Sequence, residues 1–281
     1  METLKLKLTI AYDGRAYQGW QVQKIGLGVQ QKLEETAARL FPSARRVCGS
    51  SRTDTGVHAL GMVADLEIPL AEFTMPLRKV PLAFNSYLPE DIRVLSAQRV
   101  PAGFHSRFDA RGKQYRYFVW NHPAMNPLLR HQAWHVPVRL DPRAMQAAAK
   151  HLVGKHDFRS FAATHSYEVE DTVRTVTRCD LRRSGALLTF VIEGDGFLYK
   201  MCRGMVGTLV QLGRGKFGVD HLKAMLAARD RRAAGMTAPA HGLVLWKVYY
   251  AAKPGAGAGS RGKLRAGSRG RSSARAPGGK E

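Results

Sequence analysis

The sequence is poor in cysteine and in acidic residues, and it contains no long apolar run. Its three cysteines, Cys48, Cys179 and Cys202, lie far apart without a CxxC pair, which argues against a disulfide framework and a zinc site. No apolar run approaches the length of a membrane span, and the first residues lack the apolar segment of a signal peptide. We therefore expect a soluble, cytoplasmic protein that needs neither a membrane nor a metal.

The shortage of acidic residues leaves the chain strongly basic. There are 44 Lys and Arg against 22 Asp and Glu, a formal net charge of +22. Residues 253–281 hold eight basic residues and one acidic residue, so they carry +7 and residues 1–252 carry +15. A surplus of this size favours polyanions through phosphate contacts and counterion release, although a charge that serves only solubility is an alternative. Composition thus indicates a nucleic-acid partner.

The most informative segment is the run Gly-Ser-Ser-Arg-Thr-Asp-Thr-Gly-Val-His-Ala-Leu-Gly at residues 49–61, called here the Asp54 loop. It lies between a short apolar stretch and a stretch of alternating apolar residues, so we predict a turn-rich loop that lifts Asp54 off a sheet. Arg52 would supply a cation beside the carboxylate, which favours the ionised form that a nucleophile or base needs. The alternative is an Asx turn with Arg52 as a solvated charge.

Hydrophobic periodicity predicts an α+β fold of two similar α/β halves with a mainly antiparallel, mixed sheet around a central cleft. Strands are predicted at residues 4–10, 46–48, 62–68, 91–100, 113–121, 173–181, 186–193 and 243–250. Helices are predicted at residues 29–40, 197–212 and 219–229, and between the N-cap Asp141 and Gly154. We expect residues 1–110 to form the half that carries the Asp54 loop, residues 111–252 the second half, and residues 253–281 a basic, disordered tail.

The Asp54 loop closely resembles the Gly-Arg-Thr-Asp-x-Gly-Val-His-Ala pattern of the TruA family of tRNA pseudouridine synthases, with Ser51 replacing the glycine before the arginine. Other segments between about residues 4 and 250 are similar to the same family. They are Tyr12-Asp13-Gly14 with Gly19-Trp20-Gln21, Phe104-His105-Ser106-Arg107-Phe108, Tyr115-Arg116-Tyr117, residues 154–161, residues 197–213 and residues 239–245. The resemblance implies the pseudouridine synthase fold, a homodimer, tRNA as partner, and activity without a metal or organic cofactor.

The resemblance also implies the reaction and its catalytic residues. Uridine would be converted to pseudouridine at positions 38, 39 and 40 in the anticodon arm. Asp54 would attack C1′ or C6 of the nucleotide or remove a sugar proton, and the sequence leaves these alternatives open. Arg52 would hold the distorted RNA backbone. Arg203 lies in an otherwise apolar helix, and since an unpaired buried charge is costly, we predict that it pairs with Asp54.

Three further residues are assigned to substrate binding by the same resemblance. Tyr115 and Tyr117 share one face of a predicted strand, which on spacing alone indicates core residues, but the resemblance implies that Tyr115 packs on the target base. Leu243 would form an aliphatic wall of the pocket. His58 would contact an RNA phosphate, or else form a structural hydrogen bond within the loop.

Two other classes of protein remain as alternatives. A glycoside hydrolase needs two carboxylates, but Asp65 and Glu67 alternate with apolar residues and are expected to face solvent. A non-catalytic RNA-binding module would account for the charge and the Arg-rich tail. Such a module, however, has no use for an Arg-Thr-Asp loop combined with a buried helical arginine.

Overall fold

The computed structural model describes residues 2–163 and 171–251. The tail predicted at residues 253–281 lies outside the described residues. The helices are α1 (Val29–Leu40), α2 (Val80–Asn85), α3 (Pro142–Ala149), α4 (Met201–Gly213) and α5 (Val219–Ala228). The strands are β1 (Thr3–Tyr12), β2 (Cys48–Gly49), β3 (His58–Pro69), β4 (Ile92–Val100), β5 (Ala110–Trp120), β6 (Trp134–His135), β7 (Gly154–Asp157), β8 (Val173–Ser184), β9 (Leu187–Gly194) and β10 (Leu243–Tyr250).

The strands of the described residues form one ten-stranded sheet. Its order is β4-β1-β3-β10-β5-β9-β8-β7, with β2 paired to β3 and β6 paired to β5. Pairing is antiparallel except between β3 and β10 and between β5 and β6. The predicted α+β fold with a mainly antiparallel, mixed sheet is therefore confirmed, while the division into two halves stays a prediction. Because Val244 pairs with His58, the last strand lies directly beside the end of the Asp54 loop.

Most elements follow from the local sequence. In β1 the apolar residues Leu6, Leu8 and Ile10 are fully buried, as their alternation predicts. Asp141 caps α3 by accepting hydrogen bonds from the backbone N–H groups of Arg143 and Ala144. The helix is shorter than predicted because its last turn tightens to a 3-10 turn.

The start of α4 also differs from the prediction. The apolar pattern predicts a helix from residue 197, but α4 begins at Met201. Lys200 has φ 58° and ψ 8°, a left-handed conformation that a right-handed helix cannot include. The chain therefore turns before α4, and this turn brings Phe197 and Leu198 into the wall of a cleft.

The prediction that Asp65 faces solvent is wrong. Asp65 is only 5% exposed, because nearly every residue of β3 is buried on either face of the strand. Its carboxylate accepts a hydrogen bond from the backbone N–H of Ser106 at 2.8 Å and lies 3.9 Å from the ammonium group of Lys5. A buried charge needs such partners. Glu67 stays partly exposed and pairs with Arg45 at 3.3 Å.

Candidate active site

The Asp54 loop is held in place by the end of β1 and by the segment that follows it. The Tyr12 hydroxyl lies 2.8 Å from the Thr53 hydroxyl, and the backbone N–H of Trp20 donates to the Thr53 carbonyl at 3.2 Å. Gly19 has φ 87°, and a Cβ at that position would lie 2.2 Å from the Thr53 carbonyl oxygen. A glycine is therefore required for the close approach that fixes the backbone next to Asp54.

Arg203 reaches Asp54 from α4, as the sequence predicts. Its Nη1 donates to Asp54 Oδ2 at 2.8 Å, and its Nε donates to the Ala238 carbonyl at 2.8 Å. The two charged side chains are 13% and 15% exposed. Gly207 allows this arrangement, since a Cβ there would lie 1.8 Å from the Met236 carbonyl oxygen. A close contact between α4 and the segment before β10 thus aims the guanidinium at the carboxylate.

The Asp54 side of the ion pair lines a cleft with a cavity of about 570 Å³. Among the described residues that line it are one carboxylate, that of Asp54, and several cationic side chains. The cations are Arg46, Arg52, Arg107, Lys113, Arg174 and Lys200. Because Asp54 is already paired with Arg203, the cleft carries a net positive charge that suits an anionic ligand.

Tyr115 and Leu243 form part of the apolar wall of this cleft. The Tyr115 ring packs edge-on against Phe197 with a centroid distance of 5.2 Å. Burial raises the pKa of the Tyr115 hydroxyl, so it is a hydrogen-bond donor at neutral pH. Tyr117, two residues along, is fully buried and donates to the Pro239 carbonyl at 2.8 Å. Of the two tyrosines, Tyr115 lies in the cleft and Tyr117 lies in the core.

Ser51, which stands where the TruA pattern that the Asp54 loop resembles has a glycine, causes no backbone strain. Ser51 is absent from the described residues with positive φ, so its backbone is open to any L-amino acid. The Ser51 hydroxyl is buried and finds no hydrogen-bond partner of adequate geometry within the described residues. It nevertheless lies close enough to the Tyr115 hydroxyl to oppose the effect of burial on the pKa of that group.

Arg52 and His58 have different surroundings. Arg52 is exposed at the cleft and forms no ion pair with any residue that the structure describes. His58 is buried, and its Nε2 lies 3.1 Å from the carbonyls of both His131 and His241. Its Nδ1 lies 3.2 Å from the backbone nitrogen of Gly14. Since both ring nitrogens contact protein groups, the geometry favours the structural alternative for His58.

The sequence did not single out Lys113, although a signal was present. Lys113 precedes Tyr115 by two residues on β5, and residues two apart share one face of a strand. Burial is the main cause that lowers the pKa of Lys113 to about 8, and the charges of Arg107 and Arg174 contribute to the same shift. A lysine with this pKa is partly neutral near pH 8, and an anion bound beside it would restore its charge.

Two kinds of feature are absent from the described part of the chain. No group of three or more His, Cys, Asp or Glu side chains there is arranged to hold a metal ion. None of the helices there combines the length and apolar character that a membrane crossing requires.

Comparison with solved structures gives a distant match. A chain in the crystal structure of a Cbf5-Nop10-Gar1 complex aligns with a TM-score of 0.34 and 9% identity, covering 73% of this chain and 44% of that chain. This similarity is too low to bear on the activity.

Comparison at the sequence level is far closer. The profile of a family described as tRNA pseudouridine synthase matches residues 8–109 and 148–251. The tRNA pseudouridine synthase A of Bacillus subtilis (strain 168) is 47% identical over 249 residues, which cover 88% of this chain and 99% of that protein. The proteins of the same name from Exiguobacterium sibiricum and Acetivibrio thermocellus are 44% and 42% identical, over 88% and 87% of this chain and 96% and 99% of their own. The chain belongs to the tRNA pseudouridine synthase family.

Proposed function

We propose that this protein isomerises uridine to pseudouridine at positions 38–40 of the tRNA anticodon arm, with Asp54 as the group that starts the reaction. The observation that carries the proposal is the 2.8 Å ion pair between Arg203 and Asp54, whose carboxylate lines a cationic cleft. A non-catalytic RNA-binding module would have no need to bury a carboxylate among the cations that bind its ligand.

The reaction needs little beyond a carboxylate and a dry pocket. The N1–C1′ bond breaks, the uracil turns within the pocket and C5 bonds to C1′. The hydrogen on C5 is lost to solvent as a proton, and N1 takes up a proton, so the product is an isomer of uridine. Asp54 acts on the nucleotide as nucleophile or base, and Arg203 orients it. Water must be kept out, because it would capture the detached sugar. Tyr115, Phe197 and Leu243 supply an apolar wall for this purpose.

The cations of the cleft suit a tRNA substrate. A uridine must leave its stack to reach Asp54, at a cost of a few kcal/mol. Phosphate contacts can offset this cost, and Arg52 is exposed at the cleft without an acidic partner among the described residues. We therefore assign Arg52 to the RNA backbone beside the displaced uridine.

The experiment that tests the function uses tRNA transcripts labelled with tritium at C5 of uridine. Isomerisation releases the tritium, and mapping the modified nucleotides identifies the positions. We expect release from the anticodon arm. Tight binding of tRNA without tritium release would contradict the proposal and support the RNA-binding module.

The family resemblance also supports an oligomeric state and a cellular location. We propose that the protein acts as a homodimer and that it works in the cytoplasm. Sedimentation of the purified chain tests the first, since a monomer that retains full activity would contradict it. Localisation of a tagged full-length chain tests the second.

Tyr115 provides a test of the pocket wall. Replacing Tyr115 by Leu removes a ring whose stacking on a base is worth roughly 1–3 kcal/mol, so we expect turnover to fall by about 5- to 150-fold. Tyr115→Phe keeps the ring and measures the hydroxyl alone. Phe118→Leu is the matched control, because Phe118 lies three residues along β5 and projects from the opposite face. If both Tyr115 variants match the wild type, Tyr115 is a core residue and the assignment fails.

Lys113 provides a test that depends on pH. Its pKa of about 8 means that its positive charge is present below pH 8 and is lost as the pH rises through that value. We therefore expect tRNA affinity to weaken above pH 8 by up to about fivefold, the size of a partly exposed ion pair. Lys113→Arg keeps its charge and should flatten the curve. Identical pH curves for the two proteins at constant ionic strength would show that Lys113 does not contact RNA.

A further inference from the structure

A short turn beside the cleft is anchored far more firmly than its exposure suggests. The turn comprises residues 104–109 and is called here the Phe108 turn. Ser106, at its centre, is fully buried: its backbone N–H donates to Asp65 at 2.8 Å and its hydroxyl donates to the Cys48 carbonyl at 2.7 Å. The Tyr250 hydroxyl donates to the Ser106 carbonyl at 2.6 Å. The buried charge of Asp65 thus serves to fix this turn.

The turn is also closed by its own residues. The backbone N–H of Asp109 donates to the His105 carbonyl at 3.1 Å, and the N–H of His105 donates to the Asp109 carboxylate at 2.9 Å. The N–H of Arg107 donates to Nδ1 of His105 at 3.1 Å. Together, these hydrogen bonds hold the backbone of the turn in a single conformation.

This rigid turn presents an exposed aromatic ring to the cleft. Phe108 lines the cleft and is 75% exposed. Its ring is supported by the His105 ring at a centroid distance of 4.3 Å and by the Arg107 guanidinium at 5.7 Å. A phenyl ring held in position but left uncovered lacks the burial that would make it a core residue.

The charge of the surroundings indicates what covers the ring. Arg107 is part of the same turn, and Lys113 and Arg174 line the same cleft. An aromatic ring among unpaired or weakly paired cations is the arrangement by which proteins bind unstacked nucleotides, with the base on the ring and the phosphates on the cations. An apolar protein partner would gain nothing from these cations.

We propose that the Phe108 turn is a second nucleotide subsite, in which the Phe108 ring stacks on the base of a nucleotide that flanks the target uridine. Tyr115 is buried within the cleft and packs on the target, whereas Phe108 is exposed and receives a neighbour. Arg107 and Lys113 contact the phosphate of that neighbour. The assignment of the neighbour as RNA rests on the proposed function.

Two variants of Phe108 and a control test the subsite through tRNA affinity. Phe108→Leu keeps an apolar side chain and removes the ring, so we expect binding to weaken about 5- to 150-fold, the range for loss of one stacked base. Phe108→Tyr keeps the ring and should bind like the wild type. Tyr87→Leu is the matched control, because Tyr87 is also an exposed aromatic ring, 51% exposed with Arg39 at 5.8 Å, but does not line the cleft. Equal affinities for wild type and Phe108→Leu would overturn the proposal.

A second experiment identifies the stacked nucleotide. Single abasic substitutions are introduced through the anticodon arm, and each RNA is titrated against the wild type and Phe108→Leu. At the stacked position, the loss of affinity caused by the abasic substitution and the loss caused by Phe108→Leu should not add, because each change removes the same contact. Additive losses at every position would overturn the proposal. So would a change in sedimentation of Phe108→Leu with unchanged tRNA affinity, which would assign the ring to a contact between two copies of the chain.

These measurements separate the subsite from the proposed function. Binding is measured without turnover, so a wild type that binds tRNA but releases no tritium would refute the isomerase proposal while the abasic titration still tests Phe108. Conversely, normal turnover with additive abasic losses would refute the subsite alone.

Discussion

Replacing Asp54 by asparagine should abolish isomerisation and leave tRNA binding within a few-fold of the wild type. Asparagine keeps the shape of the side chain and can still accept a hydrogen bond from Arg203, but it cannot attack the nucleotide or remove a proton. The loss of a group that acts on the reacting atoms commonly costs more than about a thousandfold in rate. The measurement is tritium release from C5-labelled tRNA in a single turnover, together with the tRNA dissociation constant.

A matched control comes from an Asp–Arg pair that lies on β8, outside the Asp54 loop and α4. Asp180 contacts Arg178 but does not line the cleft, so Asp180→Asn should leave turnover unchanged. Because asparagine can deamidate to aspartate, Asp54→Ala is measured in parallel. Substantial turnover by Asp54→Ala would show that another residue starts the reaction.

The parts of the site that the sequence predicts are those controlled by local pattern or by the cost of an isolated charge. Arg203 among apolar residues required an acidic partner, and the 2.8 Å contact with Asp54 meets that requirement. The strand period placed Tyr115 and Tyr117 on one face, and both side chains are buried. The strand period does not predict which of the two tyrosines lines the cleft, because the cleft is formed by several elements besides β5.

The parts that the sequence did not predict depend on what packs across an element. Alternation assigns Asp65 to solvent, but β3 is covered on both faces and the carboxylate is needed to bind the backbone of Ser106. Likewise, Phe108 lies in a sequence motif with no periodic pattern. Its exposure beside the cleft results from the hydrogen bonds that Ser106, in the same turn, forms with Asp65 and Tyr250, which lie 41 and 144 positions away from Ser106. Such contacts are a property of the tertiary structure and leave no mark on the local sequence.

Replacing Arg203 by methionine should lower turnover by roughly 100- to 1000-fold, the usual cost of removing one fixed electrostatic partner from an active site. Methionine fills the space of the aliphatic stem but leaves Asp54 without the group that holds its carboxylate. The protein should also lose about 3–5 kcal/mol of folding free energy, because the remaining carboxylate is only 15% exposed and unpaired. Tritium release and denaturant unfolding measure the two effects.

The double variant separates the loss of the pair from simple damage to α4. Asp54→Asn combined with Arg203→Met removes both charges, so it should be more stable than Arg203→Met alone, since no unpaired carboxylate stays in the cleft. Arg178→Met is the control for loss of a surface guanidinium and should keep full turnover, because Arg178 contacts Asp180 and Glu193 outside the cleft. If the double variant is no more stable than Arg203→Met, the destabilisation comes from packing around Ala238, whose carbonyl Arg203 also binds. In that case the guanidinium acts as a structural clamp between α4 and the segment before β10, and its effect on Asp54 is indirect.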